Sequence, residues 1–298
     1  MNIGLALTLL MNGLAMGMVY ALMVMGLVLL IRAVGILNFA QGDVLAVGAF
    51  IGASMLLDFD MPLWMAAIVS LVLYMLIGAI FMATVYWPIR NSSYPAAVVI
   101  STMGASVAIR ELLMIIWGSD PISMPAIIQK GSDGRSMLVT VAGATISVQY
   151  FIVLIVGIVA IFLTFQLFER LYAGRMMQAA SQNQYAATLI GIPVFLTIAA
   201  TYMVSFALAS SAGFLIGPLF NVSVSLSNLQ IYAFAGLIIG GMGNIKGALI
   251  GAVFVGMLES FVTVWVYSYA PAVVFGVLIL FLLFRPSGLF KPIVGVKV

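Results

Sequence analysis

Neither cysteine nor histidine occurs anywhere in the 298 residues, and only 6% of the residues are charged. Without cysteine there are no disulfides, no thiol nucleophile and no thiolate metal site. Without histidine the commonest metal ligand is missing, as is the one side chain that titrates near neutral pH when unperturbed. Ser/His/Asp catalysis is excluded for the same reason. No G-x-x-x-x-G-K-[ST] phosphate loop is present either; the glycine-rich stretch GGMGNIKGALIGAVFVG at 240–256 carries its Lys246 in the wrong setting, among apolar runs. An enzyme is not expected, and neither a metal nor another cofactor is expected on this chain.

What is present is apolar. Hydrophobic residues make up 65% of the chain, and most of it consists of runs of about 18 or more apolar residues, the length that spans a bilayer. The first run, Ile3 to Ile31, is too long for a signal h-region and has no basic stretch before it, so it reads as a retained span. Spans are expected at 3–31, 36–57, 62–87, 95–117, 149–168, 193–217, 230–243, 247–268 and 270–284. The seventh is short for a full crossing and the second begins inside a polar motif. The expected fold is an all-α polytopic membrane bundle of about 8–9 crossings with discontinuous segments, a single transmembrane domain over 1–298.

If all nine segments cross, Arg32, Arg90, Arg170, Arg175, Lys246, Arg285, Lys291 and Lys297 share one side. Lys130 and Arg135 lie on the other, with Asp58, Asp60, Asp120 and Asp133. This bias places the basic side in the cytoplasm, with the N-terminus outside and the C-terminus inside. The connection at 118–148, containing KGSDGRS, is expected to fold over the outer mouth.

The other long connection, 169–192, is cytoplasmic on this reading. From Met176 to Ile190 it has no Gly or Pro and no charge, and Gly191-Ile192-Pro193 supplies a stop signal. One short helix is expected there, either capping the bundle or docking a cytoplasmic partner.

GILNFAQGD at 35–43 puts Asn38, Gln41 and Asp43 between two apolar runs. It is either a surface turn or polar backbone taken into the membrane. Charges within spans usually face a bundle interior or cavity, which makes Asp43, Arg110, Glu111 and Glu259 notable. Arg110 and Glu111 lie about 100° apart on a helix and need not pair; beside Trp117 they read as an external-end cluster. Ser101, Thr102 and Ser106 around Gly104 offer hydroxyls to a cavity. Gly13 and Gly17, and Gly247, Gly251 and Gly256, fit close helix packing. A weak echo of 38–50 occurs at 244–254, where Asn244 again precedes glycines.

These residues bring a known family into view. GILNFAQGDVLAVGAFIGA resembles the N-F-A-x-G-[DE] signature of permeases of branched-chain amino acid ABC importers. RMMQAASQNQYAATLIGI is similar to that family's cytoplasmic segment, and AGLIIGGMGNIKGALIGAVFVGMLE with RPSGLF to its C-terminal part, although Asn244 stands where Ser or Thr is common. The resemblance implies a multi-pass subunit of a bacterial inner membrane that moves amino acids inward by alternating access. Its implied partners are a second permease, identical or homologous, two ATPase subunits that carry ATP and Mg, and a periplasmic binding protein. The cytoplasmic segment would dock the ATPases through Arg175, Ala180, Gln182, Asn183, Ala186, Ala187, Leu189, Gly191 and Ile192. The pathway or gate would use Asn38, Gln41, Gly42, Asp43, Ser101, Thr102, Gly104, Asn244 and Glu259, with Asp43 seated at a helix N-terminus, where negative charge is favoured. Two other functions fit the residues alone: an ion- or proton-coupled carrier using Asp43, Glu111 and Glu259, and a passive channel for a small polar solute such as urea.

Overall fold

The computed structural model describes residues 3–92, 94, 96–128, 136–141, 143–182, 184–286 and 288–290. Among the described residues, nine apolar segments run antiparallel, in the order α1 (Ile3–Val34), α2 (Gln41–Leu57), α3 (Leu63–Phe81), α4 (Ala96–Trp117), α5 (Val148–Arg170), α8 (Val194–Ile216), α9 (Gln230–Gly240), α10 (Ile245–Trp265) and α11 (Ala270–Phe284). Two short helices, α6 (Tyr172–Gln182) and α7 (Gln184–Leu189), lie between α5 and α8. Among the described residues, seven helices are long and apolar enough to cross a membrane; α2 and the segment Val224–Gly240 are shorter. The expected bundle and its two interrupted spans are therefore both present.

Helix α1 is apolar all round, which is the pattern of a helix buried on every face. Tyr20 through Leu30 are all buried, and α5, α8, α9 and α10 pack around them. Small residues set the closest contact. A Cβ added to Gly13 would come within 2.9 Å of the Met257 Cα, and one on Gly17 within 2.8 Å of the Val253 Cα. Gly256 meets the backbone of Gly17 in return, so α1 and α10 touch backbone to backbone as the small-residue spacing indicated.

Hydrogen bonds at the two ends of the bundle fix which connections lie together. At one end Arg32 Nε donates to the Gly243 carbonyl (2.9 Å), and Leu289 N donates to the Ile239 carbonyl (2.8 Å). At the other, Ile122 and Val222 form an antiparallel bridge, and Trp117 Nε1 donates to Ser54 Oγ (2.6 Å). Arg32, Arg90, Arg170, Arg175, Lys246 and Arg285 all fall at the first end; Asp58, Asp60 and Asp120 fall at the second. Lys130, Asp133, Arg135, Lys291 and Lys297 lie outside the described residues.

The connection at the acidic end holds a hairpin that the sequence reading missed, β1 (Leu138–Val141) with β2 (Ala144–Ser147) in the register Leu138↔Ser147. Most of KGSDGRS lies outside the described residues. Between α5 and α8 the helix expected over 176–190 begins earlier, at Tyr172, and is described over Tyr172–Gln182 and Gln184–Leu189, with residue 183 outside the described residues. Composition favours helix throughout this stretch, and α6 packs back on α5. There Gln178 Nε2 donates to the Phe168 carbonyl (2.8 Å), and Met177 and Ala180 are buried.

Candidate functional site: a helix broken inside the bundle

After Val34 the chain turns at Gly35, whose φ of +74° suits a residue without Cβ, and it does not resume helix until Gln41. The intervening residues 36–40 re-enter the bundle. Phe39 N meets Thr102 Oγ1 (3.3 Å), and Asp43 faces Ser106, which lies halfway along the 22-residue α4. The polar motif therefore sits at mid-span, not in a surface turn.

Backbone groups freed inside a membrane must find protein partners or line a cavity, and each polar residue of the motif contributes one. Asn38 Oδ1 accepts from Ala40 N (3.1 Å), while Asn38 Nδ2 donates to Gln41 Oε1 (3.3 Å). Gln41 Nε2 reaches the carbonyl (3.4 Å) and hydroxyl (3.3 Å) of Ser205 on α8. Gly42 N donates to Gln230 Oε1, and Gln230 Nε2 donates back to the Phe39 carbonyl (2.8 Å). Gly42 has no alternative: a Cβ there would overlap the Ser227 carbonyl oxygen.

Gln230 opens α9 and follows a 3₁₀ turn over Val224–Leu229, so the second interrupted segment faces the first. Arg110 of α4 joins the two. Its Nη2 lies 3.2 Å from Asp43 Oδ1 and 3.0 Å from Ser227 Oγ. Asp43 also accepts from Ser106 Oγ and is in the first turn of α2, where the helix dipole adds to its stabilisation. The Asp43 side chain is 2% exposed, but Arg110 is 43% exposed, so the pair has one face inside the bundle and one open. The external-end reading of Arg110 is thus corrected. The cation turns inward to an acid and a hydroxyl on two other elements, because the buried carboxylate needs a counter-charge.

Glu111 points the other way and is exposed on α4, on the same bare face as Gly104, around which a Cβ would meet nothing. Ser101 Oγ donates to the Val85 carbonyl (3.2 Å), in the π-helical turn Met82–Tyr86 that ends α3, and Thr102 Oγ1 donates to the Val99 carbonyl (2.8 Å). Asn244 lies at the basic end as the N-cap of α10, its Oδ1 accepting from Gly247 N (3.2 Å). Glu259 is in a separate cluster, accepting from Tyr20 OH, whose ring stacks on Tyr232 at 5.6 Å.

Asn38, Gln41, Gly42, Asp43 and Thr102 thus converge; Ser101 braces the neighbouring helix, and Gly104, Asn244 and Glu259 lie apart. The partners missed in the sequence are Ser205, Ser227 and Gln230. The polar run SVSLSNLQ at 223–230, just before the one short span, was the available signal. Among the docking candidates, Ala180 and Ala187 are buried, whereas Arg175, Gln182, Ala186, Leu189 and Gly191 are exposed and Ile192 is half-buried; Asn183 lies outside the described residues. Tyr185, Leu189 and Ile190 form an apolar surface at the basic end, 75%, 70% and 75% exposed.

Antiparallel membrane helices with paired interruptions and buried polar groups at mid-span define a transport protein of the permease class. The chain belongs to the family described as branched-chain amino acid transport system / permease component, whose model matches residues 9–283. It is 30% identical to the high-affinity branched-chain amino acid transport system permease protein BraD of Pseudomonas aeruginosa, over 94% of each chain. It is 29% identical to the corresponding protein LivH of Escherichia coli K12, over 93% of each. A probable branched-chain amino acid transport permease of Methanocaldococcus jannaschii is 27% identical over 90% of this chain and 87% of that one. Among solved structures, PsaBC from Streptococcus pneumoniae in complex with Fab covers 92% of this chain at 16% identity and a TM-score of 0.42.

Proposed function

We propose that this permease subunit passes small amino acids, branched-chain or similarly hydrophobic, across a bacterial inner membrane toward its basic end. The single observation that carries the reading is the double interruption at mid-span, 36–40 against 224–229, bridged by Arg110 with one face open. The basic end is cytoplasmic, in keeping with the charge bias. The pathway runs along the open face of α4, past Gly104, Arg110 and Glu111, between this chain and a second permease, identical or homologous. A hydrophobic amino acid carries one positive and one negative group; Glu111 on the bare face offers its charge to the first, and the open edge of Arg110, whose charge is already met by Asp43, offers hydrogen bonds to the second. A periplasmic binding protein delivers the substrate at the acidic end.

The surface formed by Tyr185, Leu189 and Ile190 docks an ATPase subunit, and ATP and Mg are held on two such subunits. An uncharged, apolar surface outside the spans is best explained by a covering partner. Closure of the ATPases moves α6 and α7. Because Met177 and Ala180 are packed against the bundle, that motion is passed to α5 and α8, and from Ser205 of α8 to Gln41. The test is uptake of radiolabelled leucine by vesicles holding the whole complex. Leu189→Asp with Ile190→Asp should abolish ATP-driven uptake and substrate-stimulated ATP hydrolysis while the permease pair still purifies together. Uptake that persists without any ATPase subunit would sink the reading.

A further inference from the structure

Helices α5 and α10 both pack on α1 but scarcely meet each other, and between them lies an apolar groove of 540 Å³. Its floor is Met18 and Ala21 of α1; Ile158 and Phe162 form one wall and Ile250 the other. The floor is drawn tight on one side because Gly157 of α5 lies directly against the Met18 side chain. The volume falls within the range of about 300–1,000 Å³ that holds small molecules. The wall residues Ile158, Phe162 and Ile250 are exposed at the flank of the bundle, so the groove opens sideways toward lipid.

One charged side chain lines it. Lys246, the second residue of α10, stands at the mouth by the basic end. From Lys246 to Val253, also in the lining, is about 10 Å along the helix at 1.5 Å per residue. A single leaflet is about half of a 30 Å hydrocarbon core, so the groove fits within the leaflet on the basic side. Lys246 is exposed, and among the described residues no carboxylate forms an ion pair with it. Arg32 donates to the carbonyl of Gly243, three residues before Lys246 in sequence, and so brings a second positive charge to the same end of the bundle.

We propose that this groove holds an acyl chain of an anionic phospholipid from the basic-side leaflet, with the headgroup phosphate beside the Lys246 ammonium. The apolar walls select a hydrocarbon chain, and the cation at the mouth selects negative charge in the headgroup. A cation at a membrane surface favours an anionic lipid by about fivefold, which sets the expected discrimination.

Native mass spectrometry of the intact complex, titrated with phosphatidylglycerol or phosphatidylcholine, tests this. Phosphatidylglycerol should bind about fivefold more tightly, and Lys246→Gln should bring it to the level of phosphatidylcholine. Ile158→Trp, which fills the groove from an exposed position, should reduce retention of both lipids. Millimolar inorganic phosphate should not displace the lipid; displacement would overturn the acyl-chain claim. Equal binding of both lipids, or no effect of Lys246→Gln, would overturn the headgroup claim. Because the chain has no cysteine, Ile158→Cys gives an attachment point for a photo-crosslinker that is unique on this chain, which is labelled before the complex is assembled. Crosslinking to a protein subunit instead of lipid would overturn the proposal altogether.

Discussion

Removing Arg110 should destabilise the protein more than removing the charge of Asp43, although the two share one ion pair. Breaking a fully buried pair by deleting one partner costs about 3–5 kcal/mol, because the survivor is left buried and uncompensated. The two survivors here differ. Arg110→Met strands a carboxylate whose side chain is 2% exposed, with Ser106 its one remaining side-chain donor. A charge in the span interior costs about 2.5–3.5 kcal/mol on insertion scales, so a loss of about 3 kcal/mol is expected. Asp43→Asn strands a guanidinium that is 43% exposed and keeps Ser227 at 3.0 Å. Where that open face lines the proposed pathway, water there reduces the cost to about 1 kcal/mol. The double variant Arg110→Met/Asp43→Asn buries no net charge and should recover most of what Arg110→Met loses. Thermal unfolding of the purified permease in one detergent would rank the three variants, with uptake in vesicles measured alongside. Equal losses for the two single variants, or a double variant as unstable as the sum of the singles, would refute the asymmetry and the burial on which it rests.

Three further outcomes follow from the same contacts. Gly42→Ala places a methyl group on the Ser227 carbonyl oxygen, so α2 and the 224–229 turn must separate; uptake should fall at least tenfold with a loss of about 1–3 kcal/mol in stability, measured by transport and unfolding together. Asn38→Leu removes the acceptor for Ala40 N and the donor to Gln41, and should impair uptake more than folding, read as a normal yield of monodisperse protein with poor transport. Tyr20→Phe removes the hydroxyl that donates to Glu259 in a cluster away from the break, and should leave leucine uptake within about twofold of the parent while lowering the unfolding temperature, since a buried polar atom left without its partner costs about 1–3 kcal/mol.

The spans were legible because apolar length is a direct physical signal, and the order and parity of nine segments followed from it. The break at 36–40 was also legible, since Gly35, Asn38, Gln41 and Asp43 have no reason to stand inside an apolar run unless backbone there needs partners. Its counterpart was misplaced. The glycine spacing at 244–254 drew attention to Asn244, which the structure uses to cap α10 at the basic end. The facing interruption is at 224–229, where Ser227 and Gln230 carry the contacts. Pairing across 188 residues, as between Gly42 and Gln230, leaves no trace in local periodicity. Arg110 was misread for a related reason. Its distance from the end of a helix is visible in sequence, but the acid that turns it inward lies on another element.

The arrangement at mid-span bears on which mechanism the site can run. The carrier reading needs Asp43, Glu111 and Glu259 to pass a proton or an ion among them. Instead Asp43 is held by Arg110 and Ser106, Glu259 by Tyr20, and Glu111 is on the exposed face of α4, with no hydrogen bond among the three in the described residues. What the site does provide is mutual satisfaction of two broken segments. Gln230 answers both Gly42 N and the Phe39 carbonyl, and Arg110 answers both Asp43 and Ser227. Sliding one segment past the other leaves several of these groups unpaired together, at about 1–3 kcal/mol each. The motion is therefore costly in a dry bundle and cheap once water replaces the lost partners. On the proposed function, opening the pathway and separating 36–43 from 224–230 occur together, and an outside source of free energy drives both.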